Sequence, residues 1–377
     1  MYKTIGIVTG GGDAPGLNAV IRAVVKTAVG EYGMRVVGIE DSFEGLLGEK
    51  TRTRELKPEH VRGLLPRGGT ILGTRNRGCF VERTVAGQDV KPEAIYQEAI
   101  RHLQEVGIEG LVVLGGEGTL AIAAEFDRLG FPVIGVPKTI DNDLACTELT
   151  FGFVTALDIA TEALDRLHTT AESHDRVMIL EVMGRHTGWI ALHSGIAGGA
   201  DVILMPEIPF TMEAVAEKIR ERDLCDSQFT IIVVAEGARE ISGEQIYQDV
   251  GDAQHAPRLG GVGNYCRIEL ERITGKETRC VVLGHLQRGG RPNAFDRMLA
   301  TSFGACAVRA FAEGQRSVMM ALQAADIVTV PISQAIANIK SVPPDGQLVR
   351  TARATGISFG APDEASHHNQ MPTEPCV

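Results

Sequence analysis

The sequence predicts an α/β chain of two doubly wound domains with mostly parallel sheets, and an active site in the cleft between them. Three observations predict it. Short apolar runs alternate with segments of helical period along most of the chain, the pattern of a parallel sheet wound by crossover helices. Glycine-rich turns follow two of those runs directly, as strand-to-helix turns in such folds do. At 377 residues, 44% of them apolar, the chain exceeds what one core usually holds.

The elements follow in order. Residues 4–9 read as a strand, 10–16 as a glycine-rich loop, and a helix begins at about residue 18. A strand at 35–39 precedes a less regular stretch from 41 to 69. Helix 93–106, strand 111–114, helix 120–129 and strand 133–136 complete the first run of alternation. A long amphipathic helix covers about 153–168, because Val154, Leu157, Ala160, Leu164 and Leu167 recur at helical spacing. The alternation then restarts with strand 177–182, helix 188–197, strand 201–205, helix 212–222 and strand 229–235. Residues 262–273 read as helix, 279–283 as extended and 296–313 as helix. One domain is therefore expected over 1–152 with a return over about 288–340, and a second over 153–287. Residues 341–377, rich in Pro, Gly, Ser, Thr and His, carry little periodicity and are expected as a surface extension.

Composition excludes several classes. A net charge of −11 weighs against nucleic-acid or membrane-surface partners. No apolar run approaches the ~20 residues of a membrane helix. Seven cysteines, without a C-x-x-C spacing, suggest neither a zinc ribbon nor a disulfide framework. With no signal-peptide pattern at the start, the expectation is a soluble cytoplasmic protein.

Residues 137–143 read P-K-T-I-D-N-D, directly behind the apolar run 131–136. That places Asp141 and Asp143 just past a strand's carboxyl end, where open α/β sheets bind ligands. Two acids one residue apart, beside Lys138 and Thr139, suit a general base and a metal ligand. A solvated turn explains an isolated D-N-D equally well. The run 111–114, however, is followed at once by Gly115, Gly116, Glu117, Gly118 and Thr119 and then a helix. Such a turn brings backbone N–H groups and a helix dipole to phosphate oxygens. The loop 10–16 repeats the arrangement. Each glycine turn alone reads as tight packing; the two glycine turns and the acidic loop 137–143 together, carrying glycines, acids and hydroxyls, read as a phosphate-handling enzyme.

The second half supplies cations and polar groups. Met183, Gly184 and Arg185 follow strand 177–182, and Glu236 follows strand 229–235. Arg176 precedes a strand, and Arg279, His285 and Arg288 lie along 277–288. Arginine forks match phosphate oxygens, and Glu and His suit sugar hydroxyls. A lone arginine is more often solvated or salt-bridged, His285 could be a core histidine, and His186 and His193 are left as such.

G-G-G-D-A-P-G-L-N, G-G-E-G-T, P-K-T-I-D-N-D, E-V-M-G-R-H-T-G and L-G-H-L-Q-R-G-G, in this order, resemble the 6-phosphofructokinase family over roughly residues 4–312. The resemblance implies phosphoryl transfer from ATP, with Mg²⁺ as cofactor, to the 1-hydroxyl of fructose 6-phosphate. It makes the first domain the phosphoryl-donor domain and the second the fructose 6-phosphate domain. Asp141 matches the general base, Asp143 and Glu117 the acids around Mg²⁺, and Thr139 the hydroxyl contacting the transferring phosphate. Arg185 matches the cation steadying the transition state, and Gly12 the glycine whose N–H meets the γ-phosphate. Gly115, Gly116, Glu117, Gly118 and Thr119 fall in the ATP site. Met183, Gly184, Glu236, His285 and Arg288 match the sugar-phosphate site. Arg176 and Arg279 match arginines that reach a neighbouring subunit's substrate, which implies a homo-oligomer, a tetramer, with shared active sites.

Three departures follow from the same comparison of motifs. Glu117 stands where many relatives have Asp, so it would reach the metal through water. The arginine expected after G-G-T-I-L-G is Arg75 or Arg77, with Asn76 at the ungapped position; Arg75 is favoured. ATP users resemble each other in glycine at two positions where pyrophosphate users have Asp and Lys, and this chain has Gly118 and Lys138. Gly118 leaves room for the α-phosphate and ribose, and Phe43 falls where relatives place an aromatic against adenine, so ATP is expected and pyrophosphate is the alternative. Arg22 and Lys26 remain of a basic effector site, but His168 replaces an arginine and 223–228 lacks lysines, so a weak or altered effector response is expected. A catalytically silent sugar-phosphate-binding subunit is the non-enzyme alternative, against which the retained Asp141, Asp143, Thr139 and Arg185 argue.

Overall fold

The structure is a computed structural model and describes residues 2–75, 78–80, 83–85, 88–90, 93–225, 228–241, 243, 247–249 and 258–362. They form two compact units. One comprises the chain to Thr155 with Arg288–Ile339, the other Ala156–Gln287 with the described chain from Lys340.

The first unit is built on a seven-stranded sheet. Its order is Asp326–Pro331, Val318–Gln323, Val133–Pro137, Leu111–Gly115, Thr4–Thr9, Arg35–Ile39, Thr53–Leu56. The five inner strands are parallel and the two edge strands antiparallel. Helices cover both faces of this sheet, so its inner strands are apolar on both sides. Val112 and Leu114 enter one core, with Leu17, Val24, Phe303 and Phe311 of the helices Leu17–Tyr32 and Ala294–Ala312. Leu111 and Val113 enter the other, with Phe43, Phe80, Tyr96 and Phe126. Successive side chains on a strand point to opposite faces, and that alternation divides the two cores.

The chain leaves Thr4–Thr9 towards Arg35–Ile39 on one side and returns to Leu111–Gly115 on the other. Strand order therefore reverses beside Thr4–Thr9, and the crevice at such a switch point is where open α/β sheets bind ligands.

The second unit has a four-stranded parallel sheet in the order Thr278–Val282, Val177–Val182, Thr230–Ala235, Val202–Leu204. Val177, Ile179, Ile232 and Val234 pack with Val215 and Ile219 of helix Met212–Leu224 and with Cys266 and Leu270 of helix Val262–Thr274. The helix Phe153–Glu172 begins in the first unit and ends in the second.

Several elements depart from expectation. The irregular stretch contains an edge strand, Thr53–Leu56, antiparallel to Arg35–Ile39, and a 3-10 turn, Ser42–Leu46. Residues 318–331 form an antiparallel hairpin that closes the far edge of the first sheet. The expected extension is corrected as far as residue 362: helix Gln347–Ala354 buries Val349 and Ala352, and Ile203 N donates to Ser358 O at 2.9 Å. An amphipathic helix of eight residues and a buried Phe359 anchor this segment to the second unit. Residues 363–377, with Cys376, lie outside the described residues.

Candidate active site

In the first unit, three loops meet at the carboxyl ends of adjacent strands. The loop after Thr4–Thr9 is held to its neighbours by backbone bonds, Gly10 N to Leu114 O at 3.0 Å and Gly11 N to Arg75 O at 3.0 Å. Thr74 Oγ1 donates to Gly11 O at 2.6 Å, so Arg75, exposed, stands beside this loop. Arg77 and Asn76 lie outside the described residues. A Cβ on Gly12 would sit 2.9 Å from Arg288 Nη1, so only glycine lets that guanidinium lie against the loop. Arg288 Nη1 donates to Asp13 O at 3.1 Å.

The second loop is the end of Leu111–Gly115 and the start of helix Glu117–Arg128. Gly116 is its N-cap and no side chain caps this end, which leaves the first-turn N–H groups for an anion. Thr119 is buried, whereas Glu117 and Gly118 are exposed. A Cβ on Gly118 would meet no atom within 4 Å.

The third loop carries the acids. Lys138 N donates to Gly115 O at 3.0 Å, tying this loop to the second. The Lys138 side chain is 3% exposed and its ammonium donates to Gly12 O, tying it to the first. Burial and the Arg288 charge lower the Lys138 pKa to about 8. Asn142, with φ 52, turns the chain in the left-handed region that Asn tolerates. Its Oδ1 accepts from Thr150 N at 3.1 Å and its Nδ2 donates to Glu148 O at 3.3 Å. This buried turn aims Asp141 and Asp143, and neither residue spacing nor motif content assigned Asn142 that task. Asp141 N donates to Thr139 Oγ1 at 3.0 Å. Burial, then the like charge of Asp143, raises the Asp141 pKa to about 6, against the opposing charges of Arg288 and Lys138.

Phe43 is corrected. It is 2% exposed, stacked on Phe126 at 5.4 Å between ring centroids, with Phe80 at 5.6 Å. Burial within an aromatic core outweighs presentation to a ligand here. Arg22 and Lys26 do converge, and Arg62 joins them in a cavity of about 220 Å³ also lined by Glu59. His168 in the second unit is bonded through Nε2 to Gly198 O at 2.6 Å.

In the second unit, Met183, Gly184 and Arg185 follow Val177–Val182, and Glu236 follows the neighbouring Thr230–Ala235. Glu236 N donates to Val182 O at 2.9 Å and Gly237 N to Gly184 O at 3.1 Å, which aligns the two loops at one carboxyl edge. Arg185 and His285 are exposed, Met183 and Glu236 half-buried. Arg176 and Arg279 lie at the opposite, amino edge, since Thr278 pairs with Val177 and Arg279 with Met178. Both guanidinium groups bind Glu277 Oε1, Arg176 Nη2 at 2.9 Å, and they hold that carboxyl below its ordinary range. His193 is half-buried against Trp189, with ring centroids 5.9 Å apart, and the Trp189 indole donates to Lys340 O at 2.7 Å.

Among the described residues, no three His, Cys, Asp or Glu side chains converge as a metal cage, and no helix is long and apolar enough to cross a membrane.

Comparison with known proteins agrees with this geometry. The phosphofructokinase family model matches residues 4–311. An ATP-dependent 6-phosphofructokinase of Chloroflexus aggregans is 58% identical over 358 residues, 95% of this chain and 98% of the relative. A pyrophosphate--fructose 6-phosphate 1-phosphotransferase of Streptomyces coelicolor is 49% identical over 346 residues, 90% of this chain and 96% of the relative. Among solved structures, a T-state phosphofructokinase of Pichia pastoris aligns with a TM-score of 0.76 at 33% identity. It covers 97% of this chain, which spans only 37% of that longer one. Two mostly parallel sheets, three loops gathered at the carboxyl ends of adjacent strands and these matches along nearly the whole length lead to one conclusion: the chain belongs to the phosphofructokinase family.

Proposed function

We propose that this chain is an ATP-dependent 6-phosphofructokinase, moving the terminal phosphoryl group of ATP to the 1-hydroxyl of fructose 6-phosphate. The observation that carries this is the first unit's switch-point cradle. There a carboxylate with pKa raised to about 6 stands among two cations and uncapped N–H groups. Phosphoryl transfer needs positioning and charge neutralisation more than covalent help.

Asp141 takes the proton of the attacking hydroxyl, its pKa being close enough to neutrality to leave it ionised at pH 7 yet basic. Thr139 Oγ1 is pinned by Asp141 N, so its own O–H is oriented to donate, to the carboxylate or to the transferring phosphate. Lys138, Arg288 and the Glu117–Thr119 helix turn neutralise the donor phosphates, with Arg75 beside them. Arg185 steadies the transition state, and Met183, Gly184, Glu236, His285 and Arg288 take the sugar phosphate.

Mg²⁺ fits this chemistry. The carboxylates of Asp143 and Glu117 are hard oxygen ligands, and the mutual repulsion of Asp141 and Asp143 marks a place where positive charge is favourable. One or two carboxylates plus substrate phosphates suffice for this ion. When bound, it supplies neutralisation of phosphate oxygens.

The placement of Arg176 and Arg279 supports shared active sites. The strand Val177–Val182 separates them from Met183 by about 20 Å at ~3.3 Å per residue, beyond a side chain's reach. Within one chain they cannot serve the phosphate bound beside Arg185, whereas a second copy's arginines can; a homotetramer is the proposed assembly. The cytoplasm, where ATP and sugar phosphates are available, is the proposed location.

Pyrophosphate remains the second reading because Lys138, a buried cation on Gly12, is the residue type associated with that donor. A donor-swap assay decides: fructose 6-phosphate is offered with MgATP or with magnesium pyrophosphate. Turnover with pyrophosphate and none with ATP would sink the ATP assignment.

A further inference from the structure

Gln287 is fully buried, between His285 and Arg288 in the chain, and no motif assigned it a task. The strand Thr278–Val282 ends beside Val177–Val182, and the following 3-10 turn, Gly284–Arg288, carries the Gln287 amide to the Met183 loop. Its Oε1 accepts from Met183 N at 2.8 Å. Because that partner is a backbone donor, the amide orientation is fixed, with oxygen towards Met183. Its Nε2 is buried and makes no hydrogen bond among the described residues. A buried, unsatisfied amide N–H costs roughly 1 to 3 kcal/mol, which an aliphatic side chain of this size would avoid. The acceptor oxygen is therefore what the position keeps at that cost.

The loop from Met183 to Gly188 has further tethers. Gly184 O accepts from Gly237 N, and Gly188 N donates to both oxygens of Glu207, each at 3.0 Å. Those fix its middle and far end. The Gln287 bond holds Met183, where the chain leaves the sheet, and Arg185 is two residues on. It also joins two segments 104 residues apart that both carry proposed sugar-phosphate ligands.

We infer that Gln287 is a positioning residue for the sugar-phosphate half of the site, acting through the Met183 N–H and not by touching substrate. This rests on the assignment of Met183 and Arg185 to that half. Losing the bond lets the loop drift while the donor cradle of the first unit stays intact.

The test compares Gln287→Met, which keeps volume and loses the acceptor, with Gln287→Glu, which keeps an accepting oxygen at the same reach. KM for fructose 6-phosphate, KM for ATP, kcat and Tm are measured for each. Gln287→Met is expected to raise KM for fructose 6-phosphate about tenfold, about 1.4 kcal/mol, the size of one hydrogen bond. KM for ATP should stay within about twofold, and Gln287→Glu should restore KM for fructose 6-phosphate to within about threefold. An unchanged KM for fructose 6-phosphate in Gln287→Met, equal rises in both KM values, or failure of Gln287→Glu to restore it overturns the inference. Should Gln287→Met not fold, Gln287→Ala assayed at lower temperature makes the same comparison. Arg185→Ala separates the two levels: if it too leaves fructose 6-phosphate kinetics unchanged, the site assignment is wrong and not merely the role of Gln287.

Discussion

The ammonium of Lys138 donates to the carbonyl oxygen of Gly12, so a residue of the D-N-D loop neutralises and braces the first glycine loop from within. The amine is buried and its pKa is lowered to about 8, while the neighbouring Asp141 carboxyl is raised to about 6. The two shifts bracket neutral pH and give the free enzyme two titrations near working conditions.

A bell-shaped profile of kcat/KM is expected. Asp141 must be ionised to take a proton, and a raised pKa keeps it protonated over a wider range. Activity is therefore present above about pH 6 and lost below it. Lys138 must be charged, and a lowered pKa removes that charge earlier, so activity is lost as pH rises through about 8. Lys138→Met should abolish the alkaline limb and move the acid limb upward, because a cation that favours ionised Asp141 has gone. Residual activity of this variant with an unchanged acid limb would dissociate the two groups.

Asp141→Asn should lower kcat by roughly 10²- to 10⁴-fold, the usual worth of a positioned general base. Tm should hold or rise, because the substitution removes a partly buried charge facing Asp143. Steady-state assays beside a thermal melt separate this from misfolding. Full turnover in Asp141→Asn would end the assignment of the base.

Gly118→Asp tests whether open space selects the nucleotide. Since a Cβ there meets nothing within 4 Å, the variant should fold normally, and an acid in a helix's first turn is electrostatically welcome. The added carboxylate occupies and charges the room left for the α-phosphate. KM for ATP should rise tenfold or more, with KM for fructose 6-phosphate within about twofold. Equal ATP affinity in variant and parent would remove Gly118 as a selectivity position.

The inner strands were legible because both their faces are buried, which makes Leu111–Leu114 and Val177–Leu180 continuous apolar runs. The hairpin Val318–Pro331 was not, since its two-residue turn is Ala324–Ala325, with Ala324 at φ 56, and not an Asn-Gly type of signal. Short, half-exposed Thr53–Leu56 lacks periodicity for the same reason edge strands often do. In the site, residues adjacent in sequence, such as Thr139 and Asp141, could be placed by motif. Phe43 could not, because its burial is decided by Phe80, Tyr96 and Phe126, far along the chain. Nor could Gln287, whose one informative contact crosses 104 residues.

Asp296 gives a stability prediction independent of the chemistry. It is fully buried in the first unit, where Oδ1 accepts from Gly152 N at 2.9 Å and Oδ2 from Thr155 N at 2.7 Å and Thr155 Oγ1 at 2.6 Å. Its own N–H donates to the N-cap Asn293 at 2.8 Å, so it also sits in the first turn of helix Ala294–Ala312, where a negative charge is favourable. Asp296→Ala would strand two backbone N–H groups and a hydroxyl away from water, at roughly 3 to 5 kcal/mol. Asp296→Asn keeps one accepting oxygen and should lose about half of that. Urea unfolding of the three proteins measures both differences. Losses below about 1 kcal/mol in both variants would show that other acceptors replace the carboxylate when it is removed.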